Sequence, residues 1–352
     1  MTKYLVCAGG NIIIRRAFRI IRKNMESVEI RNGIHRIEVP LPNTPLRGTN
    51  SYFIRGKDRS LLVDSGFNHP SCLQAMTGAL DSLAVDMAGV DLFVTHMHSD
   101  HTGLMGSLAR PGTRMLMSEE DGRIAALGRE AAFSEDLRKF FVLSGLQGGG
   151  HVSSVDQHPG YDYAPPALDG IIHLNDGDEL SAGEFTFRCV LTKGHTRGHL
   201  CLFEPERRIL FSGDHVLGTI TPNITSTGFD RDPLEEYLRS LDIVDALDPI
   251  VAFPGHRGPI TDVRARTEEL REHHAHRLEE VMGIVGGRRL SAADVAGEMR
   301  WSLTIRDWRD YPPAQKMFSA GEALAHLHHL ALGGRLAMDR GEDGVAYFRR
   351  KG

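Results

Sequence analysis

From Val28 onward, apolar and polar positions alternate with a period near two. VEIRNGIHRIEVPL, TNSYFIRG and SLLVDSG predict strands separated by Gly- and Asn-containing turns. The pattern then lengthens to a helical period over 70–84. VDLFVTH reads as a short buried strand, and TRMLMS as another after a Pro-Gly turn. Further strands are predicted at GIIHL, GEFTFRCVLTKGH, HLCLFEP and RILFSGDH, a helix at EEYLRSLDIVDAL, and a strand at PIVAFPGH. This mixture of strand, turn, helix and strand predicts a layered α/β fold.

Two stretches depart from that rhythm. EEDGRIAALGREAAFSEDLRKFFVLSGL has apolar residues at helical spacing, with Ser134 and nearby acids as a start signal. A Gly- and Pro-rich segment follows it. Together they predict a helical insertion over about 118–168 in a catalytic domain spanning 28–262. After Thr261 the chain changes character. VRARTEELREHHAHRLEEVMGIV, SAADVAGEMRW (Ser291 with Asp294 three residues on) and SAGEALAHLHHLALGG predict three helices. RLAMDRGEDGVAYFRR predicts a hairpin. Three helices and a hairpin outline a small winged-helix-like domain over 263–352.

Composition adds few constraints. Of 352 residues, 41% are hydrophobic and 25% charged, which suits a globular chain of one large domain and one small. A net charge of −5 gives no general pull toward nucleic acid or anionic membrane. No apolar run approaches the roughly 18 residues of a membrane span. Cys7, Cys72, Cys189 and Cys201 form no CxxC pair and read as reduced thiols of a cytoplasmic protein. Residues 1–27 form an N-terminal extension whose first 24 residues are Arg-rich and lack acids. It reads either as a targeting segment or, the reading taken here, as sequence ahead of a natural start at Met25.

The chemistry concentrates at THMHSDHTG, directly after the buried strand VDLFV. His96 and His98, two apart on extended chain, can share one metal ion, and Asp100 and His101 can turn to a second. Further candidates follow strands, each preceded by glycine: His195 in TKGHTRGH, Asp214 in SGDH and His256 in FPGH.

The order HxHxDH, GHTxGH, GD, GH, with LLVDSG upstream, resembles the metallo-β-lactamase superfamily over residues 28–262. The resemblance implies an αββα sandwich and two divalent ions, zinc by default, with iron and manganese as alternatives. His96, His98 and His195 would hold the first ion. Asp100, His101 and His256 would hold the second, and Asp214 would bridge both. Asp64 would brace the loop, and His199 matches a position that is more often structural. The implied chemistry is hydrolysis by a hydroxide held between the ions, with Asp214 and Asp100 as catalytic carboxylates.

Departures from particular branches narrow the substrate. Asp214 stands where the commonest true β-lactamases carry cysteine. The C-terminal segment differs from that of glyoxalase II, and no tyrosine follows Asp214 as in the lactonases. The build is similar to β-lactamase-like hydrolases with a C-terminal winged helix. The expected substrate is an ester or thioester of a bulky small molecule such as an acyl-CoA. Phe133, Phe140, Phe141, Tyr161 and Tyr163 would line a pocket beneath an inserted lid. The alternative is an endoribonuclease gripping RNA through Arg335, Arg340, Arg349, Arg350 and Lys351, although Glu342 and Asp343 at the wing tip oppose it. A binding protein with a vestigial site is disfavoured because every ligand position is filled. His273, His274, His276, His328 and His329 lie in helical segments and are expected to pack rather than ligate. Family analogy suggests a homodimer.

Overall fold

The computed structural model describes residues 27–352 apart from 32, 129–131, 150–161, 303, 304 and 306; the side chains of 132–137 and 148–149 also lie outside the description. Expectations about residues 1–24, the Phe133 side chain and Tyr161 therefore fall outside the described residues.

Seven strands form the first sheet, in chain order: β1 (Val28–Arg31), β2 (Ile34–Pro40), β3 (Gly48–Ile54), β4 (Ser60–Val63), β5 (Val90–Phe93), β6 (Arg114–Ser118) and β7 (Ile171–Leu174). Pairing is antiparallel from β1 to β4 and parallel from β4 to β7. The second sheet has the order β12-β11-β10-β9-β8, built from β8 (Glu179–Ala182), β9 (Phe185–Leu191), β10 (Leu200–Glu204), β11 (Ile209–Gly213) and β12 (Val251–Pro254).

Alternation along the strands decides what faces what. Tyr52, Ile54, Leu61 and Val63 point inward to meet Phe187, Leu202, Phe211 and Phe253 of the second sheet. Phe53 and Leu62, one residue out of phase, point the other way. There they pack with Cys72, Met76 and Leu80 of helix α1 (Pro70–Ser82) and with Leu104 and Met105 beyond the short helix α2 (Ser99–Thr102). On the far side, Val190, Cys201 and Leu210 are covered by Leu234, Tyr237 and Leu241 of a helix over Pro233–Leu247. The layers are thus helix, sheet, sheet, helix, as expected for the αββα sandwich.

The inserted region is helical, as its spacing predicts, with two helices among its described residues. After α3 (Met105–Leu108) come α4 (Glu119–Leu127) and α5 (Ala132–Ser144), separated at Gly128. Ser118, with three acids behind it, caps α4, while Ser134 lies inside α5. Phe140 and Phe141 do not line a pocket under a lid. They are buried with Val281, Val295, Leu324 and Phe348 of the C-terminal segment. Tyr163 stacks on Phe67 at 4.6 Å between ring centroids.

Among the described residues the remaining α-helices are α6 (Pro233–Leu247), α7 (Val263–Val285), α8 (Ala292–Glu298) and α9 (Pro313–Leu332). A small sheet of order β13-β15-β14 completes the chain, from β13 (Leu290–Ser291), β14 (Leu336–Arg340) and β15 (Ala346–Arg350). The 262/263 division falls at the start of α7, whose packing is shared. Val263 and Leu270 join the sandwich's outer layer, and Val281 and Val285 join the C-terminal core. No described helix is long and apolar enough to cross a membrane.

Candidate metal centre

Strand direction gathers the motifs. β4 and β5 are parallel. β9 is antiparallel to β10 and β10 to β11, while β11 and β12 are parallel, so β9, β11 and β12 run the same way. The chain after β4 carries Asp64, after β5 His96–His101, after β9 His195, after β11 Asp214 and after β12 His256. The loops meet at one edge of the sandwich, tied by Leu200 N donating to Thr95 O (2.9 Å) and Gly255 N to Gly213 O (2.8 Å).

All seven candidate ligands come together there. Three groups have ligand atoms within 4.8 Å of one another: His96, His98 and His195; His96, His101 and Asp214; Asp100, His101 and His256. These are the only such groups among the described residues. His98 Nδ1 lies 3.0 Å from both His96 Nε2 and His195 Nε2. His256 Nε2 lies 3.2 Å from Asp100 Oδ2 and 3.3 Å from Asp214 Oδ2.

The outer nitrogens identify which atoms face inward as lone pairs. His195 Nδ1 reaches the carbonyl of Asn223 (2.9 Å) and His256 Nδ1 that of Gly48 (2.9 Å). A carbonyl only accepts, so both Nδ1 atoms carry hydrogen and the Nε2 atoms of the neutral rings do not. His101 Nδ1 donates to Asp64 Oδ2 (2.8 Å). Thr95 Oγ1 donates to the same carboxylate (3.1 Å) and so accepts from His96 Nδ1 (2.9 Å). Asp64, with φ +60°, thereby sets the tautomers of two imidazoles at once.

Electrostatics divides the centre into two halves. Burial drives the His96, His98 and His195 imidazoles below the ordinary value, His98 to about 3. Burial alone would do the same to His101 and His256. The Asp64, Asp100 and Asp214 carboxylates outweigh it at His101, and Asp214 and Asp100 hold His256 up at about 10. Reciprocally, burial would raise both carboxyls, but His101 and His256 hold Asp100 at about 2 and Asp214 well below the usual range. His101 Nε2, Asp214 Oδ1 and His256 Nε2 are buried without a hydrogen-bond partner. Ligand atoms that approach this closely without hydrogen-bond geometry, around two ionised carboxylates, fit divalent cations with nitrogen and oxygen donors.

Glycine precedes Asp214 and His256 for steric reasons. A Cβ on Gly255 would stand 2.5 Å from Asp214 Oδ1 and 2.7 Å from His101 Cε1, and one on Gly213 would stand 2.6 Å from His199 Nε2. His199 Nε2 accepts the Asp214 backbone N–H (3.2 Å), and its Nδ1 faces Thr192 Oγ1 (2.8 Å). It braces the Asp214 backbone.

Two residues escaped the sequence reading. Asp121, fully buried in α4, accepts from Met97 N (3.0 Å), Thr196 Oγ1 (2.6 Å) and Gly198 N (2.8 Å), and so joins the two histidine loops. Its spacing from Ser118 signals only a helix start. Asn50 Nδ2 donates to Pro254 O (2.9 Å) and Arg257 O (2.7 Å), flanking His256. The C-terminal histidines join no metal group among the described residues. His274 stacks on His326 at 5.3 Å, His328 packs edge-on against Phe229, and His329 binds Asp232.

Comparison with known proteins agrees with this architecture. The profile of the metallo-beta-lactamase superfamily matches residues 44–256, and that of the metallo-beta-lactamase-like C-terminal domain matches 278–351. A beta-lactamase domain protein from Burkholderia ambifaria superposes with a TM-score of 0.81 at 28% identity, over 92% of this chain and 94% of that one. Among curated relatives, the lactamase-like protein nscB of Aspergillus fumigatus is 24% identical over 68% of this chain and 57% of its own. An atrochrysone carboxyl ACP thioesterase of the same species is 26% identical over 67% of this chain and 59% of its own. The chain thus spans less than two thirds of the length of these curated relatives. Because the superfamily profile covers more than half of the sequence, and includes every strand-end motif gathered at this edge, the chain belongs to the metallo-beta-lactamase superfamily.

Proposed function

We propose that the protein is a dinuclear metal-dependent hydrolase acting on a thioester or ester of a bulky acyl group. The reading rests on one observation: the three ligand groups share one buried edge, where His101 Nε2, His256 Nε2 and Asp214 Oδ1 converge without hydrogen-bond partners. His96, His98 and His195 would hold one ion; Asp100, His101 and His256 the other; Asp214 stands between the groups. When bound, such ions supply Lewis acidity toward an acyl oxygen and toward water.

The chain's own residues do the rest. Asp64, Asn223 O and Gly48 O orient the imidazoles. Asp214 holds the attacking water by hydrogen bond and takes its proton as the bond to the acyl carbon forms. Asp100 keeps the facing half anionic. The carbon–sulfur bond then breaks as Asp214 returns that proton to the departing sulfur, leaving a thiol and a carboxylic acid that loses its own proton to solvent.

A thioester is favoured over an RNA phosphodiester for two reasons. One relative carries an acyl-carrier thioesterase name. In addition, a cleft of about 450 Å³ lined by Lys139, Leu143, Arg197, Phe229, Asp230 and Arg340 opens beside the His195 loop. Arg197 is paired with Asp230 there, so Lys139 and Arg340 beside Leu143 and Phe229 are the cationic and apolar walls that suit a long acyl arm with an anionic end. By contrast, Arg335 is engaged by Glu279 and Arg350 reaches the carbonyl of Met282.

The test is thiol release by zinc-loaded protein from a panel of acyl-CoA and acyl-glutathione thioesters, with Asp214→Asn alongside. We expect turnover of at least one thioester, falling by about 100-fold or more in the variant, as for loss of a proton-accepting group. Cleavage of single-stranded RNA without thioester turnover would overturn the assignment.

A further inference from the structure

The carbonyl that orients His195 belongs to Asn223, in an irregular stretch over 221–226. No ladder of strand or helix bonds fixes that carbonyl. It is held instead from behind, by helix α9 of the C-terminal segment. Asn223 Nδ2 donates to Glu322 Oε2 (3.2 Å) and to Phe318 O (3.5 Å), and Ser226 N donates to Gly321 O (3.2 Å). Thr225 Oγ1 donates to Asn223 Oδ1 and closes the loop on itself. Thr225 also lies so near α9 that a Cβ on Gly321 would stand 2.5 Å from its Cγ2.

Glu322 is buried, and its other oxygen accepts from Arg277 Nε of α7 at 3.3 Å. Arg277 in turn sits 4.3 Å over the Trp301 ring and donates to Arg300 O (2.8 Å). Burying such an ion pair is poor value for stability alone, since apolar residues of similar size generally serve as well. The packing of α9 is already supplied by Ala320, Leu324, Leu327 and Leu330. What the pair adds is a fixed direction for Asn223.

We infer that Glu322 and Gly321 are positioning residues for the His96, His98 and His195 metal group, so that the C-terminal segment sets that group's geometry through Asn223. This rests on the metal-centre reading above. The coupling runs from Arg277 through Glu322 and Asn223 to His195, one hydrogen bond per step. Substrate contact is not part of the role.

The experiment measures stepwise zinc affinity of the full chain by competition with a chromophoric chelator, together with the visible absorption of the cobalt-loaded protein. Variants are Glu322→Ala, Gly321→Ala and Leu327→Ala. Gly321→Ala keeps every polar group and is favourable for a helix, so it remains informative should Glu322→Ala fail to fold. Leu327→Ala loosens the same helix on its core face, away from the loop. We expect the first two to weaken one of the two zinc affinities by roughly 10–100-fold, the range for residues that orient a ligand, and to shift the cobalt bands. Leu327→Ala should lower thermal stability while leaving both affinities and the bands as in the parent. Equal affinities in all three variants and the parent would overturn the inference and leave the metal centre standing. A parent protein that takes up neither zinc nor cobalt would overturn the metal centre, and the inference with it.

Discussion

Asp64 shows how a single side chain outside the ligand set controls the centre. Its carboxylate accepts from Thr95 N (2.9 Å), Thr95 Oγ1 and His101 Nδ1, so one anion orders both the strand end and two imidazoles. Asparagine tolerates the same left-handed backbone, which makes Asp64→Asn a test of chemistry rather than of fold. Its amide oxygen would keep the two Thr95 donors, and its NH2 group would then face His101 Nδ1. The imidazole proton would be forced to Nε2, the atom facing Asp100 and Asp214. We expect metal content to fall from two toward one ion per chain and activity to drop about 10–100-fold, measured by elemental analysis beside turnover. Two retained ions would show that His101 is oriented by other means. The same logic explains Asp121. Burial raises its pKa, yet it still receives three hydrogen bonds from the two histidine loops, and apolar replacement would leave those buried donors without partners.

At the scale of elements, the joint between α6 and α9 carries its own charge device. Asp232 caps α6 through Glu235 N (3.1 Å) and accepts from His329 Nδ1 of α9 (2.8 Å). The hydrogen bond to Asp232 raises the His329 pKa, opposed by its partial burial. For Asp232, burial would raise the carboxyl, but the bonds from His329 and the Glu235 backbone bring it below the usual value. The His329 contribution is therefore complete below its unfolded value near 6.5 and is lost as pH rises through the raised folded value. The Asp232 contribution is present above its unfolded value near 4 and is lost as pH falls through the lowered one. The pair stabilises most between about pH 4 and 6.5. His329→Gln should accordingly lower the melting temperature more at pH 5.5 than at pH 9, and a difference independent of pH would refute the device.

For the whole molecule, α5 of the insertion shares one core with the C-terminal segment, while Ala125 of α4 packs with Leu104 and Met117 of the sandwich. Phe140 and Phe141 of α5 lie with Val281 of α7, Leu324 of α9 and Phe348 of β15, while Ala325 of α9 reaches the sandwich's outer layer. The insertion is therefore a strut between sandwich and C-terminal segment. Phe140→Ala should cost about 3–5 kcal/mol and lower the midpoint of a single denaturation transition monitored by both tryptophans, which lie at 301 and 308. An early transition confined to tryptophan fluorescence, with the sandwich's far-UV signal intact, would show instead that the segments unfold separately.

By itself the sequence determined the layered strand-and-helix pattern and the cluster of candidate ligands, because both are written locally; the sandwich followed from the resemblance those motifs carry. Strand alternation, glycine before His195, Asp214 and His256, and the spacing of HxHxDH, GHTxGH, GD and GH require no partner to be read. Only the tertiary structure decided what holds those ligands in place. Asp121 reads locally as the third residue of a capped helix, and Glu322 as one polar position on α9. Each acquires its role because chain segments 75 and 99 residues away deliver a donor to it. The aromatics of α5 followed the same rule. Their helical spacing announced an apolar face, but whether that face met substrate or another helix depended on where the chain carried α7, α9 and β15.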